Sequence, residues 1–231
     1  MGKKKNKEFN ENYQHCCDGP KYNIENYIKP ITSAGYSDSE LKKVFDFFLL
    51  QAPILKNNKE GKFGKNLMQY GWKGKPDINM LESKLLRSSA MQMFCIIRAN
   101  TITSTLEAMN LSDCICIEHP RAVLKQDFSV TVMENGEVKI VPKENRMECL
   151  FRHIRNAIAH NHTYVFDHDM IMLEDIEQDT GKLTARILIK RETLLTWINI
   201  VKKQDVRNTT NIKEQEEQLD AENQAETQKT A

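Results

Sequence analysis

The 231-residue chain carries 33 Lys and Arg against 32 Asp and Glu, a formal charge of +1, which excludes a protein basic over its whole surface for polyanion binding. With 40% hydrophobic and 28% charged residues it matches a globular domain able to enclose a core, and a mean hydropathy of −0.58 points to polar tails. No apolar run reaches the roughly 18 residues that span a bilayer, and the opening MGKKKNKEFN has no hydrophobic stretch behind its charges. A cytoplasmic protein without a membrane partner is expected.

Residues 1–34 combine a lysine cluster with scattered tyrosines around Gly19-Pro20 and read as a basic, weakly structured extension. The folded unit is expected over 35–205. Its first helix begins at Ser37-Asp38-Ser39-Glu40, which has the capping-box form, and continues through Leu41, Val44, Phe45, Phe48 and Leu49 to Pro53. Residues 56–75 then hold six lysines against one glutamate, with Phe63, Tyr70 and Trp72 among them. This is either a track for single-stranded RNA, with Lys62, Lys65 and Trp72 as contacts, or a solvated loop whose aromatics tuck into the core.

Apolar residues recurring every three or four positions predict a long central helix over 79–109. Glu134-Asn135-Gly136 between alternating segments predicts a hairpin joining Phe128–Val132 to Glu137–Val141. A second hairpin is expected between 170–176 and 183–190, followed by a helix over 191–203. Residues 206–231, with six acids and few apolar side chains, read as a disordered acidic tail. The fold class expected from these elements is mainly α, a helical bundle with two small β-hairpin insertions.

The six cysteines lack the paired spacing of a zinc site, and reduced thiols are expected. His160-Asn161-His162 has a spacing found in some metal sites, yet no carboxylate or thiolate cluster accompanies it, so neither metal nor cofactor is expected.

The segment around Met147–His160 carries the chemistry. At about 100° per residue, Met147, Leu150, Phe151, Ile154, Ala157 and Ile158 form a core stripe, while Cys149, Arg152, His153, Asn156 and His160 gather on the opposite, exposed side. A solvated helix surface would suffice to explain such a face. The residues Phe151-Arg152-His153-Ile154-Arg155-Asn156-Ala157-Ile158-Ala159-His160-Asn161, however, resemble the R-x4-6-H signature of HEPN domains (higher eukaryotes and prokaryotes nucleotide-binding), in the form Arg155-Asn156-x3-His160. The hairpin and helix that follow are similar to a plasmid-encoded HEPN subfamily. The closer resemblance covers about 146–203, and a looser helical one reaches back to about 80.

The resemblance implies a HEPN-like helical bundle and metal-independent RNA cleavage in a composite site shared by a homodimer. Arg155, His160 and Asn156 would be its catalytic residues, and a toxin or antiviral role under an antitoxin or other regulator is its common setting. On a regular helix Arg155 and His160 lie about 140° apart, so one protomer's pair does not converge on one phosphate, whereas two helices meeting at a two-fold axis could. Histidine moves protons at neutral pH and arginine holds charge on phosphoryl oxygens. Arg152 and His153 are either auxiliary RNA contacts or surface residues, and Asn161 is placed to cap the helix C-terminus. Two further readings are a HEPN module that binds nucleotide or RNA, or acts as an antitoxin, without cleavage, and an all-helical protein-interaction module.

Overall fold

The computed structural model describes residues 21–54, 66–98, 102–132 and 136–202 of the chain. In chain order the elements are β1 (Lys21–Asn23), α1 (Asp38–Phe45), α2 (Gly74–Ser88), β2 (Met93–Ile97), α3 (Ile102–Ala108), β3 (Cys114–Cys116), β4 (Arg121–Lys125), β5 (Phe128–Val132), β6 (Val138–Pro142), α4 (Arg146–Ala159), β7 (Thr163–Val165), β8 (Met170–Ile176) and β9 (Leu183–Lys190). A last helix, α5, occupies 192–202.

The helical bundle expected from the sequence is overturned. The fold is α/β, built on a five-stranded mixed sheet in the order β2-β4-β9-β8-β7, with β2 and β4 parallel and the remaining neighbours antiparallel. The 170–190 hairpin, expected as a small insertion, supplies two inner strands of this sheet. The other hairpin, β5–β6, stands as a separate two-stranded ribbon, and β1 pairs with β3.

The predicted helix over 79–109 divides into α2, β2 and α3. Ala90, at φ 50°, turns the chain out of helical geometry after Ser88-Ser89. The run Met93-Phe94-Cys95-Ile96-Ile97 is apolar on every side because it is a strand covered on both faces, which over so few residues mimics a wide helical stripe.

Strand alternation sorts the core into two layers. Ala122, Leu124, Ile171, Leu173, Ala185, Ile187 and Ile189 face one side and pack with α1, α2, α4 and α5. Val123, Met170, Met172 and Leu188 face the other, against α3, Ile24, Leu111 and Ile115. Residues 21–34, assigned by the sequence to an extension, join both layers: Ile24 is buried in the second, Ile31 and Ala34 in the first. Both the 1–20 stretch and the acidic tail beyond 205 lie outside the described residues.

The capping box at Ser37 forms: its hydroxyl accepts from Glu40 N and the Glu40 carboxylate accepts from Ser37 N at 2.9 Å. Beyond α1 a π-helical turn, Asp46–Gln51, carries Phe47 and Phe48 into the core under Phe151 of α4. Helix α4 lies across β8 on this larger layer, and that placement builds the site. Among the described residues no helix is long and apolar enough to cross a membrane.

Candidate functional site

Helix α4 is fixed at both ends. Asn145 caps its start, the side-chain oxygen accepting from Met147 N and Glu148 N at 3.0 Å each while Glu148 accepts from Asn145 N at 2.9 Å. At its end Asn161 adopts φ 58°, and the bonds His162 N to Ala157 O (2.9 Å) and Asn161 N to Ile158 O (3.2 Å) close a Schellman turn. His160 is thereby held at the last turn with its side chain exposed.

All six residues of the expected core stripe are buried. The opposite face departs from expectation, because Cys149 and His153 are buried as well. The end of β4, the Glu144 segment and β8 close over that side of the helix and replace water with polar partners. His153 Nδ1 donates to Asp175 Oδ2 at 2.7 Å, and its Nε2 stands 2.8 Å from the Lys125 carbonyl. Asn156 Nδ2 donates to the same Asp175 oxygen at 3.1 Å and its Oδ1 accepts from Arg155 Nη1 at 3.2 Å. Burial alone would raise the Asp175 carboxyl, but the His153 hydrogen bond and charge, helped by Asn156 and Arg152, outweigh it and hold the group below its ordinary value.

Arg152 is gripped by Glu144 in two bonds, Nε at 2.8 Å and Nη2 at 2.6 Å, with Asp127 and Asp175 at 3.9 and 3.8 Å. Burial opposes its charge, and the Glu144 bonds override that and hold the guanidinium firmly protonated. Burial also pushes the Cys149 thiol well up, Glu144 adding to the effect, so this cysteine is no nucleophile.

Together these side chains wall a cleft of about 280 Å³ lined by Lys125, Arg152, His153, Asn156, Asp175 and His160, with Asp127, Glu177, Gln178, Asp179 and Thr184 completing the rim. His160 touches Gln178 Nε2 through its ring nitrogens at 3.0 and 3.3 Å, has the His162 ring 6.2 Å away, and is exposed. The sequence-selected residues Arg152, His153, Asn156 and His160 therefore meet at one cleft. Arg155 does not line it: the side chain is half-buried and reaches the cleft only through Asn156.

Trp72, a candidate RNA contact, is a core residue at 1% exposure, its indole N–H donating to Val201 O at 3.2 Å. Lys62 and Lys65 lie outside the described residues, as does the Glu134-Asn135 turn. Asp175 was missed, although the alternation of Ile171, Leu173 and Asp175 already sets it on the helix-facing side of β8. Among the described residues no group of three or more His, Cys, Asp or Glu could hold a metal ion. No family model matches this chain, and no curated protein or solved structure shows significant similarity to it.

Proposed function

We propose that the chain is a metal-independent endoribonuclease whose proton-transfer group is His160. The observation that carries the reading is an exposed imidazole on the rim of a polar cleft whose inner wall is fixed by the His153–Asp175–Asn156 bonds. An imidazole in that position can take the proton of an RNA 2′-OH as it attacks the adjacent phosphorus. The P–O5′ bond breaks, the leaving oxygen takes up a proton from water while His160 returns its own to solvent, and the products are a 2′,3′-cyclic phosphate and a 5′-OH. DNA, lacking the hydroxyl, is spared.

Charge on the phosphoryl oxygens needs a cation. Of the cations near the cleft, Lys125 lines it, Arg152 is committed to Glu144, and Arg155 of the same protomer is outside it. The HEPN resemblance of the 146–203 segment implies that Arg155 of a second copy takes this role, which makes the active form a homodimer, with Asn156 as the residue that positions Arg155 and faces the cleft. The same resemblance supplies the setting of a toxin or antiviral effector under an antitoxin or regulator.

A second reading, a module that binds nucleotide or RNA without cleaving it, is favoured by the commitment of Arg152 to Glu144 and the position of Arg155 outside the cleft, which leave one protomer without a free arginine beside His160 among the described residues. Incubating the full-length protein with mixed RNA in EDTA, with mass spectrometry of the ends, separates the two. Cyclic phosphate ends support the nuclease, retention of intact RNA supports the binding module, and indifference to RNA contradicts both.

A further inference from the structure

Beside the cleft lies a larger groove of about 710 Å³, between the start of α2, the end of β2 and the approach to α4. The two hollows share a wall: Gln126 and Glu144 line the groove, and Lys125, Asp127 and Arg152 beside them line the cleft. Three carboxylates and four cations line the groove, so its character depends on which charges are already spent.

Two of the carboxylates are matched by arginines. Glu82 takes a two-pronged grip from Arg146, at 2.7 to 2.9 Å. Glu144 is held by Arg152, while Glu148 is buried and accepts a neutral backbone N–H from Asn145, which satisfies a lone pair without cancelling the charge. Of the cations, only Arg146 is used in this way. Lys75, Arg98 and Lys143 are exposed and form no ion pair among the described residues. Arg98 sits 5.2 Å over the Phe128 ring, a contact that holds the guanidinium at the rim without neutralising it.

With Glu82 and Glu144 each matched by an arginine, the three exposed cations face only the buried Glu148 among the lining carboxylates, so positive charge is in surplus there, in a molecule whose formal charge is only +1. Local positive charge of this kind attracts phosphodiesters through counterion release. A concave hollow suits a chain that can bend into it, which a single strand does and a stiff duplex does not.

We infer that the groove is a backbone-binding track for single-stranded RNA, in which Lys75, Arg98 and Lys143 hold the phosphates that flank the linkage presented to His160. The identity of the ligand rests on the ribonuclease reading; the charge argument stands apart from it.

The test is fluorescence anisotropy of a labelled 2′-O-methyl oligouridylate, which no 2′-OH attack can cleave, titrated with the full-length protein at several salt concentrations. The groove variant combines Lys75→Glu, Arg98→Glu and Lys143→Glu. A control combines Lys29→Glu, Lys43→Glu and Lys190→Glu, the same change in net charge at exposed positions elsewhere. The groove variant is expected to bind at least about tenfold more weakly at low salt, and its plot of log affinity against log salt to flatten by about 2, for three lost phosphate contacts. The control keeps the wild-type slope. Equal losses in the two variants, or an unchanged slope in the groove variant, overturn the track. Either of those results alongside RNA cleavage by the wild type sinks the track and leaves the nuclease standing. Slope loss confined to the groove variant, with no cleavage by the wild type, keeps the track and sinks the nuclease.

Discussion

Glu174 and Asp175 are consecutive on β8 and face opposite sides of the sheet. On the smaller layer Glu174 pairs with the Arg186 guanidinium and accepts from the Tyr164 hydroxyl, while Arg186 donates to Leu111 O at 2.7 Å. All three side chains are buried, and burial together with the Glu174 bond pushes the Tyr164 phenol well up. On the larger layer Asp175 is as buried as its neighbour, but its partners lead outward, through His153 and Asn156 to a cleft with an exposed histidine on its rim. One polar cluster is sealed but for the exposed Asp113, 3.6 Å from Arg186, and ties α3 and its neighbouring loop to the sheet. The other is open, and a buried network that ends at solvent is positioned to act on a ligand rather than only to join layers.

The largest stability effect is expected on the sealed side. Glu174→Gln leaves the buried Arg186 charge with only the exposed Asp113 at 3.6 Å to offset it, at a cost of about 3 kcal/mol, read from urea midpoints. Asp175→Asn keeps a side-chain oxygen for His153 but loses the charge-assisted bond, and is expected to cost about 1–3 kcal/mol. That variant also changes the response to acid. Because the folded Asp175 carboxyl lies below its ordinary value of 3.8, its contribution is fully present above that value and is lost as pH falls through the lower folded value. Unfolding measured between about pH 2 and pH 6 should therefore show a shallower acid loss in Asp175→Asn than in the wild type. The smallest effect belongs to Gln178→Ala at the exposed rim, within about 0.5 kcal/mol by the same assay.

How much of this was legible follows the same divide. The core stripe of α4, the Ser37 cap, both hairpins and the last helix could be read because each has a local signature of period or turn chemistry. The sheet could not, since Arg121-Ala-Val-Leu-Lys125 and Met93–Ile97 are short apolar runs whose strand character comes from pairing with residues far along the chain. The site was half legible. Helical spacing gathered Arg152, His153, Asn156 and His160, but burial of His153 and the part played by Asp175 depend on β8 crossing under α4, which no local pattern encodes. Trp72 was drawn into an RNA track by its lysine neighbours, and its bond to Val201 across the fold makes it core.

The most direct test of the contrast is the RNA cleavage rate per folded molecule in metal-free buffer, compared between His160→Ala and Glu174→Gln at a temperature where both are folded. The account predicts that His160→Ala loses about 10²- to 10⁴-fold in rate with an unchanged unfolding midpoint. Glu174→Gln keeps the wild-type rate despite its lowered stability. A His160→Ala protein that cleaves RNA at the wild-type rate, free of contaminating nuclease, would contradict the assignment of function to the open side of β8.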